Sequence, residues 1–371
     1  MGRSATQALI IDGSAHERGP HGAGPWYPPV MVLALLSWLA PAVACAPSPE
    51  LRDPDGVLTV LEQNLKFIAV GGRRAERAQM LGDWLADDGQ DVDLLLLEEV
   101  RLSTSLVDAM PGWCFYTQLG DGLRQSYRWR NIEEERPPGG LAIAVRTRTA
   151  GPLRDVGGDA GRRFRASPST WVEGFLGRLV GYRKGWAGIT VDGTRLVWSH
   201  TQASYRQHPE RGAGARGRGR VGQFDDLAED LGRPDHPTLL TGDLNLLDTF
   251  EAAAEGDYAG RVDAARRIDG ETMAHFEDRT GLDFHWPRLR PRRADGSPAH
   301  GTFLGNIFNT PQDPEWDGGA AYDRVGVNEA FKHQHPGALV HAVEIVRRDL
   351  RVSDHVGLKI EIPFHPGPMA P

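Results

Sequence analysis

Cysteine is almost missing: the 371 residues include Cys45 and Cys114 and no others. That excludes a cysteine-built metal cluster. Cys45 ends an N-terminal leader, so the mature domain is expected to lack an internal disulfide. An excess of positive charge is missing too. The formal net charge is −8, so the whole chain is no electrostatic attractor for nucleic acid, although a local basic groove is compatible with an acidic protein. No internal repeat is visible. No apolar run reaches the about 20 residues that a transmembrane helix needs.

From Gly19 to Pro49 there is no Lys, Arg, Asp or Glu, and Val30 to Ala44 is an apolar run. Its length suits a signal-peptide core followed by small residues. Ala42-Val43-Ala44 before Cys45 resembles a bacterial lipobox, with Cys45 as the lipidated N-terminus. Ala44-Cys45-Ala46 equally fits a small-x-small cleavage site. Both predict export, as a secreted protein or as an outer-surface or periplasmic lipoprotein of a bacterium. An uncleaved anchor or a misplaced start codon is the plainer alternative. Residues 1–48 are thus read as leader and linker, and 56–365 as one large catalytic domain. With 40% hydrophobic and 25% charged residues, that domain has ordinary globular composition and can bury a sizeable core.

Short apolar runs then alternate with helical stretches. Val57–Asn64, Asp93–Val100, Leu141–Arg146, Ala187–Val191, Leu196–Ser199, Thr238–Thr241, Tyr322–Val327 and Gly357–Ile362 read as strands. Asp93–Val100 has the continuous apolar character of a strand buried on both faces. The pair 187–191 and 196–199 flanks a turn at Asp192-Gly193. Arg73–Asp87 and Val221–Leu231 read as helices. The pattern predicts a mixed sheet system covered by helices. Arg211–Arg220 and Pro287–Arg293 read as basic surface loops, with a nucleic-acid tract as the alternative for the first.

Several apolar strands end in polar groups: Leu61-Glu62-Gln63-Asn64, Leu97-Glu98-Glu99, Ser199-His200-Thr201, Gly242-Asp243-Leu244-Asn245, Asp323-Arg324 and Ser353-Asp354-His355. Taken singly, each has an ordinary explanation as a strand end, an Asx turn or a helix cap. Repeated carboxylates beside core strands are expensive unless paired or holding a cation. Oxygen-rich groups without thiolates favour a hard ion such as Mg²⁺.

In order and separation, these segments resemble the endonuclease/exonuclease/phosphatase superfamily, which includes DNase I, repair endonucleases, inositol polyphosphate 5-phosphatases and neutral sphingomyelinases. The resemblance spans roughly residues 57–362. It implies a DNase I-like α/β fold, a four-layer α/β sandwich of two packed mixed β-sheets flanked by helices. A monomer is expected. The resemblance also implies a metal-dependent phosphoric ester hydrolase. Asn64, Glu99 and Asp354 match the metal-holding positions, with Mg²⁺ the expected ion and Mn²⁺ or Ca²⁺ as alternatives. His200, Asp243, Asn245, Asp323 and His355 match the catalytic positions. Glu98 stands where the family has glutamine, which leaves Glu98 and Glu99 as competing ligands. Thr201 and Arg324 also depart from the pattern. Whether Asp243 or His355 serves as the base stays open.

The expected partner is a phosphoester. A lipid head group or small phosphoester is favoured, with peripheral membrane contact, because Arg183-Lys184-Gly185-Trp186 resembles an element of the neutral sphingomyelinases and inositol phosphatases, and the stretch from Gly301 to Asp323 loosely resembles a substrate-side loop of the sphingomyelinases. A secreted nuclease is the second reading, with Arg162, Arg163, Arg165, Arg211, Arg216, Arg218 and Arg220 following a phosphate backbone. A non-catalytic binding module on the same fold is a third. The intact His, Asp and Asn set argues against it.

Overall fold

The computed structural model describes residues 56–65, 73–100, 102–119, 122–125, 134–135, 141–146, 158–163, 184–201, 217–246, 259–297, 299, 322–347 and 350–364. The chain divides at Val43/Ala44, and every described residue lies in the unit Ala44–Pro371. The leader readings, Cys45, and the arginines 165, 211 and 216 therefore lie outside the described residues.

The strands in chain order begin with β1 (Val57–Asn64), β2 (Leu94–Glu98), β3 (Leu102–Ser103), β4 (Trp113–Leu119) and β5 (Gly122–Gln125). Next come β6 (Glu134–Glu135), β7 (Ala142–Arg146), β8 (Gly158–Arg163), β9 (Gly185–Val191), β10 (Thr194–His200) and β11 (Thr238–Asp243). The last are β12 (Asp323–Val327), β13 (Leu339–Val343), β14 (Val346–Arg347), β15 (Leu350–Arg351) and β16 (Gly357–Pro363). The helices are α1 (Arg74–Ala86), α2 (Thr104–Ala109), α3 (Gly217–Leu231), α4 (Ala259–Thr280) and α5 (Glu329–Gln334).

One sheet has the order β13-β16-β1-β2-β7-β4-β5, the other β12-β11-β10-β9-β8. Each is mixed, with one parallel pair: β1 with β2, and β10 with β11. Two short two-stranded ribbons, β3-β6 and β14-β15, lie outside them. The β9–β10 hairpin turns at Asp192 and Gly193, whose φ values of 47° and 78° are those of a two-residue hairpin turn.

Three apolar clusters define four layers. Between the sheets pack Leu58, Val60, Leu94, Leu96, Leu196, Trp198, Leu239, Val325, Leu358 and Ile360. Behind the first sheet, Leu61, Leu95 and Leu97 meet Ala78, Leu81 and Leu85 of α1 and Leu106 of α2. Behind the second, Val197 and Leu240 meet Phe224 and Leu227 of α3 and Met273 and Phe276 of α4. Leu94–Leu97 supply both sides of the first sheet and are fully buried, each worth about 2 kcal/mol by transfer. This is the expected α/β sandwich of two mixed sheets flanked by helices. Among the described residues no helix is long and apolar enough to cross a membrane.

Two expectations need correction. Gly217–Arg220 is not loop but the first turn of α3, and Arg220 is buried. Its guanidinium pairs with Asp269 of α4 and donates to the Asn245 carbonyl at 2.9 Å. Pro287–Arg293 includes a 3-10 turn at Pro287–Leu289, and Arg292 bridges to His341 of β13. Leu289, buried in the inter-sheet core, anchors it. Cys114, the single cysteine of the 56–365 domain, is buried in β4.

Candidate active site

Strand periodicity of two builds the site. Side chains at alternate positions face the inter-sheet core, so the row Leu58, Val60 continues to Glu62 and Asn64. Likewise Leu94 and Leu96 lead to Glu98, Leu196 and Trp198 to His200, and Leu239 to Thr241 and Asp243. The two parallel pairs thus deliver Asn64, Glu98, His200 and Asp243 at their carboxyl ends. Strand β12 runs antiparallel to β11, so its first residue, Asp323, lies opposite Asp243. Strand β16 runs antiparallel to β1, so Asp354 and His355, just before it, arrive at the same end. The apolar sandwich finishes in a polar cap.

At its centre is Asp243. It accepts hydrogen bonds from Asn64 Nδ2 at 2.9 Å and from the Asn245 backbone N–H at 3.1 Å. His200 Nε2 lies 3.4 Å from Asp243 Oδ2, and His355 Nε2 lies 3.9 Å from the same atom. Burial alone would push this carboxyl up, but the His355 charge, the His200 hydrogen bond and the Lys184 charge outweigh it and hold Asp243 at about 2. His355 Nδ1 lies 2.8 Å from Asp323 Oδ2. Burial would lower the imidazole, but the Asp323 and Asp243 charges raise it to about 10. Asp243 is therefore a carboxylate and His355 an imidazolium at neutral pH.

Glu98 and Glu99 separate clearly. Glu98 ends β2 fully buried and accepts from the Asp243 backbone N–H at 3.1 Å. Glu99 leaves the strand with φ 50°, which turns its partly exposed side chain back toward the site. There its Oε1 lies 3.1 Å from His200 Nε2 and 3.2 Å from Lys184 Nζ. Gly242, at φ 132°, fits because it has no side chain: a Cβ would stand 2.2 Å from the Ser199 carbonyl and 2.3 Å from Glu98 Oε1. Asn245, at φ 50°, occupies the left-handed region that asparagine tolerates. Its Nδ2 donates to the Thr201 carbonyl at 3.0 Å. Thr201 in turn donates from its hydroxyl to the Leu244 carbonyl and from its backbone N–H to the Asp243 backbone carbonyl at 3.0 Å. Asp354 is fully buried, its Oδ1 3.9 Å from His355 Nε2. Arg77 of α1, buried beside these segments, donates to the Leu65 carbonyl and, at 2.6 Å, to the Val352 carbonyl. Burial lowers that guanidinium to about 10, against the charge of Asp354.

All eight expected site residues therefore meet at one end of the inter-sheet core. Three participants were absent from the expected set. Arg77 is one. Lys184 is another, and the hairpin register could have found it: counting back from Asp192-Gly193, Gly185 pairs with His200, so Lys184 adjoins it. The third is Glu62, on the same face as Asn64. It is fully buried, and neither of its carboxyl oxygens has a hydrogen-bond partner. Burial, then the Asp323 charge, raises it well above the usual carboxylate range, and burial with Glu62 and Asp243 does the same to Glu98.

A raised carboxyl keeps its proton in the folded state. Its contribution to stability is complete below the unfolded value and is lost as pH rises through the folded one. Glu62→Gln is thus expected to stabilise the metal-free protein progressively above pH 4.5, by about 1–3 kcal/mol at the alkaline end. Thermal melts of both proteins across pH check this, and parallel Tm curves would refute it.

The cap suits a divalent cation. Glu62, Glu98, Glu99, Asp243, Asp323 and Asp354 crowd a site whose basic groups are His200, His355, Lys184 and Arg77. Glu98 Oε1 has no hydrogen-bond partner. Ligand atoms of Glu98, His200 and Asp243 lie within 4.8 Å of one another, as do those of Asp243, Asp323 and His355. Carboxylate and imidazole donors without sulfur suit a hard ion.

Two mixed sheets packed face to face, with acids and paired imidazoles at the ends of their central strands, define a DNase I-like phosphoester hydrolase. The model of the Endonuclease/Exonuclease/phosphatase family matches residues 64–355, from the asparagine of β1 to His355. The chain belongs to this family, whose members are metal-dependent phosphoric ester hydrolases. No curated protein matches its sequence. Among solved structures it is similar to D. rerio TDP2 complexed with a single-strand DNA product, at 15% identity and TM-score 0.48, covering 83% of this chain and 99% of that one. Sphingomyelinase C from Streptomyces griseocarneus is similar at 15% identity and TM-score 0.46, covering 82% and 99%. Beta toxin from Staphylococcus aureus, with bound magnesium ions, is similar at 14% identity and TM-score 0.48, covering 82% and 98%.

Proposed function

We propose that this chain is an exported, Mg²⁺-dependent phosphodiesterase that hydrolyses the head-group phosphodiester of a choline lipid, as a sphingomyelinase-type phospholipase C does. The observation that carries the catalytic part is the Asp323–His355–Asp243–His200 cluster, with Glu99 at its rim. Glu99, Asn64 and Asp354 would hold the ion, which when bound polarises the phosphoryl oxygen and steadies the leaving oxygen. Asp243, kept ionised, accepts a hydrogen bond from the attacking water and aligns it. A carboxylate at about 2 is a weak base, so orientation is its main contribution. His355 presents a positive N–H to the phosphoryl group, and Asp323 holds its ring and charge in place. His200 is a second imidazole beside that group, and Asn245 fixes the turn that carries Asp243.

The lipid reading rests on the chain's negative charge and on the Lys184-Gly185 element. It is strengthened by Arg220, which packs inside the domain against Asp269 and is withdrawn from any phosphate-tracking surface. Export rests on the charge-free stretch 19–49. We take residues 1–48 as the leader and 56–365 as a monomeric catalytic domain. Parallel assays on sphingomyelin, inositol phosphates and plasmid DNA, with Mg²⁺ and with chelator, test the substrate. Phosphocholine release that needs Mg²⁺ is expected. Plasmid cleavage without lipid turnover, with binding steeply dependent on salt, would replace this reading with the nuclease.

A further inference from the structure

Lys184 stands just before β9, at the position that the hairpin register sets beside His200. Its ammonium donates to Glu99 Oε1 at 3.2 Å and lies against the His200 ring, 3.0 Å from Nδ1. The side chain is only 9% exposed. The same Glu99 oxygen lies 3.1 Å from His200 Nε2. This lysine thus places a full positive charge on the carboxylate that is read as a cation ligand, at the rim where a substrate phosphoryl group would enter.

We propose that Lys184 is a phosphate-binding residue that serves as the internal counter-ion of Glu99 until a divalent cation is bound, and then donates to the phosphoryl group of the substrate. The proposal rests on the reading of Glu99 as a cation ligand. Two positive charges cannot share one carboxylate oxygen without strong repulsion in a poorly solvated site. A lysine also has what the exchange needs: a compact charge on a flexible four-carbon stem, with three donors that can be re-aimed. The incoming group is a dianion or monoanion, so the displaced ammonium gains a new partner. Metal and ammonium therefore compete for Glu99, while metal and phosphate cooperate through the ammonium. By linkage, each of these effects is reciprocal.

Calorimetric titration tests this with Mn²⁺ alone, and then with inorganic phosphate added to the Mn²⁺-loaded protein. Lys184→Met is expected to bind Mn²⁺ about tenfold more tightly and phosphate about tenfold more weakly than the unaltered protein, a size typical of coupled sites. Lys184→Arg, which keeps the charge, should retain most of the phosphate affinity. If Lys184→Met does not fold, Lys184→Gln has the same expectation. Unchanged or weaker Mn²⁺ binding, or unchanged phosphate binding, overturns the proposal. Glu99→Gln separates the two readings. If it binds Mn²⁺ as well as the unaltered protein, Glu99 is no ligand and both readings fail. If it loses Mn²⁺ while Lys184→Met stays unchanged, only the lysine proposal fails.

Discussion

Asp243→Asn is expected to lower kcat by about 10³-fold, within the range typical of a lost general acid–base or water-orienting group. The carboxylate lies within 4 Å of both imidazoles and accepts from Asn64 and the Asn245 backbone. An amide of the same size keeps the packing but loses the charge, and it turns one acceptor into a donor that faces donors. Attacking water then loses its anionic acceptor, and His355 loses one of the three carboxylate charges that hold its proton. The fold should survive, since the substitution also removes one negative charge from a crowded cap that includes Glu62, Glu98 and Asp323. Steady-state kinetics with a melting curve decide the matter. Activity within tenfold of the unaltered enzyme, in a folded variant, would remove Asp243 from the mechanism.

Asp323→Asn should act differently, through pH. His355 works as an imidazolium in the proposed mechanism, so activity falls as rising pH takes its proton. Because the Asp323 charge raises the ring in the metal-free protein, the unaltered enzyme should keep its activity above the 6.5 of an ordinary imidazole. Asp323, 2.8 Å from Nδ1, is the largest influence raising it. Without that charge, the alkaline limb should move down by more than about one unit, and kcat at neutral pH should fall about 10²-fold. The same shift has a stability side. A histidine raised from 6.5 to about 10 adds stability that is complete below 6.5 and is lost as pH rises through 10. Profiles of kcat and of Tm against pH read both effects. An alkaline limb that stays in place would show that another group sets it.

Much of this site was legible because its residues end apolar runs. The strands carrying Asn64, Glu98, His200, Asp243 and Asp323 alternate or run apolar for their whole length, and that period survives in the fold. Other parts were hidden for physical reasons. Helix α4 went unread: Ala259–Thr280 interleaves arginines and acids with small residues, and its buried face is visible only once Met273 and Phe276 meet Phe224 and Phe284. Arg220 looked like a solvated charge, because nothing local announces that Asp269, far along the chain, will pair with it. Glu62 looked like a strand-end acid, yet its place two residues before Asn64 puts it beneath the site. Glu98 and Glu99 could not be told apart on paper. The left-handed backbone at Glu99, a local feature with no sequence signature, separates them.

Among the described residues, the first strand, β1, is paired on one side with the last, β16. A polypeptide emerging from a ribosome cannot form that pair until Gly357–Pro363 have been made. Asp354 and His355 come in just ahead of that last strand. The cap is therefore incomplete until that point, and a chain that ends before Asp354 lacks both residues.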